Sequence, residues 1–329
     1  MVLKASDELR HPNDDDINWR ESLYFNLADP TNEMGVWLYL WVLPNQEKKT
    51  GMLAAFYHGI NERFDILKAA QESPGHRLVE PDGRWAYCVT QEFPELVDSD
   101  FDDISVGGLS LKRLDPLKAY SISYSDDAGT ALSLDAEFLT IPWDYTDGVY
   151  PAQDWVAANR YHRSWRAQGT LQLGTDTYRI DTTGDSDHSW GRRDGAEFIK
   201  NHFKMWSFQT PDGSNSISAV EIGEAGEEVP MGFVSLAGDI RAIASVQENS
   251  GYTPAGVQND VSLAVNDTAD RTVAAHLDTM FAAIGSGAEG SYWGYEGVGW
   301  YDVEELGRCS GIVSYFWPGA VTPEAIQGS

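Results

Sequence analysis

The sequence contains few cysteines. Cys88 and Cys309 are the two present among 329 residues. Two thiols are too few for a disulfide framework or for a metal cage made of thiolates, which excludes both classes of small stapled domain. The pair is compatible with two buried small side chains or with a single bridge.

Basic residues are scarce relative to acidic ones. Lys and Arg number 23 against 51 Asp and Glu, so the formal net charge is -28. A surface this acidic repels phosphate backbones and anionic lipid headgroups, and we therefore expect no nucleic-acid partner. The acidic residues are spread along the chain, which indicates solvated faces rather than one acidic tail. A homodimer is compatible with the sequence, which does not fix the oligomeric state.

Long apolar runs are also missing. The longest, residues 36–43, is far shorter than the roughly 20 residues that a membrane helix needs. Residues 1–10 are polar and lack the apolar centre of a secretory signal. We therefore expect no membrane insertion and a cytoplasmic location.

Aromatic residues and glycine are plentiful. The chain has 12 Trp, 15 Tyr, 12 Phe and 31 Gly. Segments typical of strands recur roughly every dozen residues, separated by turn residues such as those at 126–129, and no βαβ rhythm is visible. The pattern predicts an all-β fold with an antiparallel barrel or sandwich in each half. Residues 151–161, which begin with Pro151, predict a short helix that links two domains, 1–158 and 159–329.

Three known site patterns do not fit. The glycine-rich residues 285–290 spell a dinucleotide fingerprint but precede a strand instead of a helix, so we expect a hairpin loop. Residues 184–188 lack the closing glycine of a nucleophile elbow. The histidines have no helical i, i+4 spacing, so no metal site is predicted from them. The histidines considered are His58, His162, His188 and His202.

Residues 187–194 stand out because they combine an acid, an imidazole, an indole and two guanidinium groups. Taken singly, each of these residues is more often structural than catalytic. Together, on a segment between strands, they indicate a site at the mouth of a barrel. The predicted catalytic residues are Asp187, His188 and Arg193.

The string Asp-His-Ser-Trp-Gly-x-Arg at 187–193 resembles the signature of the carotenoid 1,2-hydratase (hydroxyneurosporene synthase) and AttH-like superfamily of lipocalin-like proteins. Residues 19–30 resemble the start of the two-domain branch of that superfamily. Residues 307–317 resemble its closing strand. The three stretches lie near both ends and in the middle, so the resemblance covers most of the chain.

The resemblance implies two tandem lipocalin-like β-domains, with the motif in the second, and a long apolar cavity beside the motif. It also implies chemistry on the C=C bonds of hydrophobic, often terpenoid, substrates without a cofactor. A hydratase or hydro-lyase is therefore predicted. A cofactor-free cyclase or isomerase in the same cavity, and a carrier of a hydrophobic ligand that does no chemistry, are the alternatives.

Hydration of an alkene requires a strong proton donor. A carboxyl group buried among aromatic rings keeps its proton at neutral pH, and Asp187 is the predicted donor, with His188 next. Arg193 or Arg192 would orient Asp187, but a neighbouring guanidinium lowers the pKa of a carboxyl group. If Asp187 is held in a salt bridge it is a brace, and Glu21 or Glu296 is then the acid.

The cation formed by protonation needs an electron-rich wall, which aromatic ring faces supply. The segment around Glu21 is interpreted either as a structural strand or as part of the substrate site. The predicted substrate-binding residues are Trp190, Trp206, Tyr295, Trp317 and Glu21.

Overall fold

The structure, a computed structural model, describes residues 3–46, 49–65, 75–95, 99–150, 153, 155–288 and 292–326. Within these residues nearly all regular structure is antiparallel β-strand, which confirms the all-β prediction. The helical segments are short: two 3-10 turns, Ala5–Glu8 and Tyr145–Asp147, and the helices α1 (Gly195–Phe198) and α2 (Pro323–Ile326).

The strands divide into two hydrogen-bonded sheets. The first sheet contains β1 (Trp19–Asp29), β2 (Met34–Leu43), β3 (Lys49–Asp65), β4 (Leu78–Val79), β5 (Trp85–Phe93), β6 (Asp103–Val106), β7 (Leu109–Asp115), β8 (Ala119–Ser125), β9 (Thr130–Phe138), β10 (Trp143–Asp144), β11 (Asn159–Leu173) and β12 (Asp176–Arg192). The second contains β13 (His202–Gln209), β14 (Asn215–Gly223), β15 (Val229–Leu236), β16 (Asp239–Tyr252), β17 (Gln258–Asp267), β18 (Thr272–Ala288), β19 (Tyr292–Val303) and β20 (Gly307–Pro318).

The second sheet closes on itself. Each strand from β13 to β20 pairs antiparallel with the next, and β20 pairs back with β13. The result is an eight-stranded antiparallel barrel, which leaves no free edge among these strands. Aromatic and β-branched side chains on the inward face of its strands fill the interior, including Trp206, Phe208 and Tyr301.

The first sheet curls around its own apolar core. Its order is β5–β3–β2–β1–β12–β11–β9–β8–β7–β6, with β4 beside β5 and β10 beside β11. Trp165 is fully buried at the centre, packs edge-on against Phe25 and donates its indole N–H to the carbonyls of Asn26 and Asp185. The strand periodicity of two assigns alternate residues to this core and to the opposite face.

The opposite face of the first sheet packs against the second barrel. Two apolar clusters contain side chains from both sheets, for example Tyr57 with Val298, and Tyr145 with Met205. A short parallel pairing of β3 with β18 adds backbone hydrogen bonds between the two. The side chains in the layer between the sheets are therefore covered by the first sheet on one side and by the barrel on the other.

The change of sheet does not coincide with the predicted domain boundary at 158/159. β11 and β12 form a hairpin, and β12 pairs with β1 along Trp19–Arg192 to Leu27–Gly184 in the first sheet. The motif at 187–193 therefore belongs to the first sheet, and the second sheet begins at β13. The backbone pairing of β12 with the distant β1 is what decides this.

The linking helix expected over residues 151–161 is not present in the residues of that segment that the structure describes. Asn159 begins β11, Val156 forms an isolated bridge with Arg193, and Ala157 has a positive φ of 99°. The residues from Asn159 onward adopt extended backbone because they pair with β12, so tertiary pairing overrides local helix propensity. The short helix that connects the two sheets along the chain is α1, which follows β12 and precedes β13.

Both cysteines are buried and no disulfide joins them, so the alternative of a single bridge, left open by the sequence, is not realised. Among the described residues, none of the helices has the length and apolarity to span a bilayer. The glycine-rich residues 285–288 lie within β18, while 289 and 290 of the expected loop lie outside the described residues.

We expect the buried Glu8 to stabilise the fold strongly. Its carboxylate accepts hydrogen bonds from the Arg163 guanidinium at 2.7 Å and from the Leu117 backbone N–H at 2.7 Å. Glu8→Gln leaves the Arg163 charge buried without its partner, which costs about 3–5 kcal/mol of unfolding free energy. Urea denaturation measures this, with the exposed Glu137→Gln as the control. Equal stability of the two variants would contradict the assignment.

Candidate functional site

Asp187 and His188 point to opposite faces of the first sheet. In the pairing of β1 with β12, Tyr24 lies opposite Asp187 and Leu23 lies opposite His188. Successive strand residues alternate in direction, so Asp187 faces the layer between the sheets and His188 faces the core of the first sheet. The two residues that the sequence analysis grouped in one site therefore belong to two separate clusters.

Asp187 is the centre of an ionic network between the sheets. Its Oδ2 lies 3.5 Å from Arg160 Nε and 3.2 Å from His162 Nε2. The other ring nitrogen of His162, Nδ1, lies 3.2 Å from Asp185 Oδ2 and 3.2 Å from Ser218 Oγ on the second barrel. The imidazole thus bridges two carboxylates and joins the two sheets.

The charges of this network fix its protonation. Burial raises the pKa of Asp187, but the Arg160 and His162 charges outweigh it and bring the pKa down to about 2. Burial lowers the pKa of His162, yet Asp185 and Asp187 raise it overall, which favours the imidazolium. Asp187 is therefore ionised at neutral pH. Asp187 therefore has the salt-bridged, structural role that the sequence analysis gave as the alternative. An ionised carboxylate cannot serve as the proton donor.

Arg193 acts on a tyrosine rather than on Asp187 directly. Its guanidinium donates hydrogen bonds to Tyr39 Oη and to Ser189 Oγ, each at 3.1 Å. Burial raises the pKa of Tyr39, but the charges of Arg193 and Arg20 lower it below its usual value of 10.0. The expected orientation of Asp187 by Arg193 is thus supplied by Arg160 instead.

Arg192, the other candidate guanidinium, lies at the surface. It pairs with Asp194 at 2.6 Å and with Asp16 at 3.7 Å. Asp194 also accepts backbone hydrogen bonds at the start of α1. Arg192 is therefore a surface and capping element, outside the buried network.

Glu296 is a second acid in the layer between the sheets. It lies on β19, is 4% exposed and accepts a hydrogen bond from Ser314 Oγ. Burial raises its pKa from 4.5 to about 7, although the Ser314 hydrogen bond opposes the shift. In the part of the chain that the structure describes, Glu296 forms no ion pair. Its carboxyl group therefore holds a proton over much of the neutral range.

Two tyrosines face Glu296 from the first sheet. Burial, and then the nearby Glu296 charge, raise the pKa of Tyr24 and of Tyr57 well above 10.0. Tyr24 also accepts a hydrogen bond of 2.8 Å from Asn26 Nδ2 and lies edge-on to Trp37. The phenols stay neutral, so Glu296 faces aromatic rings rather than charges.

Several polar atoms in the same layer are buried without a hydrogen-bond partner. Such atoms are uncommon in folded proteins because each costs free energy unless water or another polar group satisfies it. Those on residues in this layer include Asn26 Oδ1, Trp37 Nε1, Tyr57 Oη, Tyr145 Oη and Gln209 Oε1.

Glu21, His188 and Trp190 form a separate cluster in the first sheet. Glu21 Oε1 lies 2.8 Å from His188 Nε2 and 2.7 Å from His11 Nδ1. Burial raises the pKa of Glu21, but the hydrogen bonds from His11 and His188 lower it overall. Glu21 is thus a carboxylate, and of the two alternative acids only Glu296 retains a proton at neutral pH.

The remaining predicted wall residues lie in the second barrel, away from both acids. Trp206 and Trp317 are part of its apolar core, and Trp206 donates its indole N–H to Tyr315 Oη at 2.9 Å. Tyr295 precedes Glu296 on β19 and therefore points away from it, into a cluster with Val257. None of these three rings contacts the Asp187 network.

Two open surface recesses are found among the described residues. One of about 330 Å³ is bordered by Leu114, Lys118 and Arg166, and one of about 300 Å³ by Arg10, His11 and Asp100. Neither is lined by Asp187 or Glu296. The long apolar cavity that the resemblance implies beside the motif stays a prediction.

Sequence reasoning missed most members of the network between the sheets. Arg160 and His162 lie where a helix was predicted or follow directly after it, and Asp185 was read only as part of a failed nucleophile elbow. The alternation of Arg160 and His162 with Tyr161 and Arg163 is the strand signal that points to them. Tyr24 and Tyr57 gave no signal beyond strand propensity.

Comparison with known proteins identifies the family. A profile of DUF7064, a domain of unknown function, matches residues 4–80 and 75–302. The chain belongs to the DUF7064 family. No curated protein matches it.

Solved structures with the same fold cover nearly the whole DUF7064 chain. An AttH-like protein (NE1406) from Nitrosomonas europaea has a TM-score of 0.61 at 12% identity, over 96% of both chains. Kievitone hydratase from Nectria haematococca has a TM-score of 0.53 at 10% identity, over 96% of this chain and 93% of its own. CghA with Sch210972 has a TM-score of 0.50 at 8% identity, over 91% of this chain and 88% of its own. These likenesses show that the chain shares its fold with these proteins. Membership of the AttH-like, lipocalin-like superfamily and kinship with carotenoid 1,2-hydratase stay predictions.

We expect Glu296 to make the DUF7064 chain less stable as the pH rises. The folded state holds the proton to about pH 7 and the unfolded chain only to about 4.5. Unfolding free energy therefore falls between these values, by about 3 kcal/mol in total, and not further above about pH 7. Glu296→Gln lacks this loss.

The measurement is urea unfolding of the wild type and of Glu296→Gln across this pH range, with the exposed Glu137→Gln as the control. The stability difference between the wild type and Glu296→Gln should shrink or reverse with rising pH and then level off. A difference that stays constant would show that Glu296 titrates normally.

Proposed function

We propose that this protein is a cofactor-independent enzyme of the hydratase or cyclase type, which protonates a C=C bond of a hydrophobic, terpenoid-like substrate. The reaction takes place between the two sheets, with Glu296 as the proton donor. The observation that carries the proposal is a buried carboxyl group with a pKa of about 7, which faces aromatic rings and unpaired polar atoms.

Glu296 has the properties that acid catalysis on an alkene requires. A general acid works best when its pKa lies near the working pH, because it is then both protonated and able to release the proton. Burial supplies this pKa, and the Ser314 hydrogen bond orients the carboxyl group. The ionised Asp187, with a pKa of about 2, lacks a proton to give.

The proposed step transfers the proton from Glu296 to one alkene carbon. The π electrons form the new C–H bond, and the other carbon becomes positively charged. In hydration, a water oxygen forms the C–O bond and the surplus proton returns to the Glu296 carboxylate. In cyclisation, a second double bond supplies the electrons instead, and a proton lost from the ring returns to the same group.

The surroundings of Glu296 suit a cationic intermediate. The rings of Tyr24 and Trp37 lie edge-on to each other, with centroids 6.3 Å apart, and aromatic faces attract positive charge. Tyr57 Oη and Asn26 Oδ1 are buried without partners and are suitable hydrogen-bond sites for a water molecule. These residues replace the wall of Trp206, Tyr295 and Trp317 that the sequence analysis expected.

The ionic network of Asp187 has a positioning role in this proposal. It joins the two sheets through His162 and Ser218, beside the reacting layer. Its acids and cations offset each other, so it adds little net field at Glu296. The network therefore keeps the two sheets in register without lowering the pKa of the acid.

Two further observations support an enzyme over the alternative, a non-catalytic carrier. A carrier needs only an apolar pocket, and it predicts that Asp187 and His188 face solvent or surface salt bridges, whereas both are buried. Kievitone hydratase and CghA share the fold, and the first is named for a hydration. The choice between water addition and cyclisation rests on the product.

Incubation with a panel of isoprenoid and polyketide alkenes in heavy-oxygen water tests the function. Product that contains the label identifies hydration, and an isomeric product without label identifies cyclisation or isomerisation. Full recovery of every substrate, together with tight binding of one of them, would establish the carrier instead.

We expect Glu296→Gln to lower kcat by about 10²- to 10⁴-fold on the substrate so found, because the amide cannot donate this proton. Glu221→Gln is the matched control: Glu221 is also largely buried with a pKa of about 7, but it lies beside Lys204 and Glu248. The kcat/KM of the wild type should fall above about pH 7. Full activity of Glu296→Gln would exclude Glu296 as the donor.

A further inference from the structure

His11, Glu21 and His188 converge on one point in the first sheet, on the face opposite to Glu296. One ligand atom from each, the two ring nitrogens and a carboxylate oxygen, lies within 4.8 Å of the others. Glu21 and His188 are fully buried, and the His11 side chain is 18% exposed. Three chain segments therefore bring two imidazoles and a carboxylate together in a largely dry place.

The surroundings hold each of these three groups in orientation. Tyr161 Oη lies 3.1 Å from His188 Nδ1, which leaves Nε2 to face Glu21. The His11 ring stacks on Trp190 with centroids 3.7 Å apart and an interplanar angle of 5°. The His11 backbone N–H donates to both Glu21 oxygens, at 3.1 and 3.0 Å. Hydrogen bonds to the outer nitrogen of a histidine are typical of metal-ligating imidazoles.

The donor set matches a known class of metal site. Two histidines and one carboxylate bind Zn²⁺ and other divalent first-row metals and leave positions free for water. The surface recess bordered by Arg10, His11 and Asp100 adjoins the exposed edge of the cluster and offers an entry path for an ion.

We propose that His11, Glu21 and His188 bind one divalent transition-metal ion of the zinc type. The sequence analysis predicted no metal because the histidines that it considered lack a helical i, i+4 spacing, and His11 was not among them. The ion would tether the segment that contains His11, which precedes β1, to the interior of the first sheet. Its place on the far side of β1 and β12 makes it independent of the acid chemistry at Glu296.

The test uses the full-length chain after dialysis against a chelator. Co²⁺ alone is titrated and followed by its visible absorption, and the bound Co²⁺ is then displaced with Zn²⁺. We expect one equivalent to bind, and Zn²⁺ to raise the midpoint of thermal unfolding. The alternative is a structural cluster held by hydrogen bonds alone, in which the two imidazoles donate to the Glu21 carboxylate and no metal binds.

His11→Gln is the decisive variant because His11 lies outside the strands, so its loss should leave the sheets folded. We expect it to weaken Co²⁺ binding by about 10- to 100-fold and to abolish the thermal shift, as should Glu21→Gln. His276→Gln, at an exposed histidine beside Asp260, is the control for surface binding. Absence of stoichiometric binding, or binding lost in His276→Gln but kept in His11→Gln, would overturn the proposal.

Discussion

Burial of a carboxyl group without a counter-ion is the constraint on which the proposed chemistry depends. Three of the acids buried on β1 and β12 or across from them show how the neighbouring groups decide the charge of a carboxyl group. Asp187 has Arg160 and His162 beside it and is ionised, with a pKa of about 2. Glu21 has two imidazoles and is ionised as well. Glu296 has a serine hydroxyl and keeps its proton to about pH 7.

The pairing of β1 with β12 separates these environments. Because neighbouring residues of a strand point to opposite faces, one short motif contributes Asp187 to the layer between the sheets and His188 to the core of the first sheet. The two faces can then differ in chemistry: a carboxyl group with a raised pKa among aromatic rings on one side, and two imidazoles that converge on a carboxylate on the other. The closed second barrel covers the layer between the sheets with β19 and β20, and so encloses the Glu296 carboxyl group.

The strand content and several hairpins could be predicted from the sequence, since alternation and turn residues are local features. The assignment of β11 and β12 to the first sheet could not be predicted, because it depends on the pairing of β12 with β1, a strand more than 150 residues away in the chain. Glu296 was recognised only as an alternate acid. Its pKa follows from burial and from the lack of a neighbouring cation, and neither is visible in the residues beside it. His11 gave no signal at all for the same reason.

The protonation state of Glu296 is the central claim, and infrared difference spectroscopy of the wild type against Glu296→Gln measures it most directly. The account predicts the C=O band of a protonated carboxyl group in the wild type alone, which disappears with a midpoint near pH 7. A carboxylate band from Glu296 that persists down to about pH 5 would contradict it, since the group would then titrate close to its ordinary value.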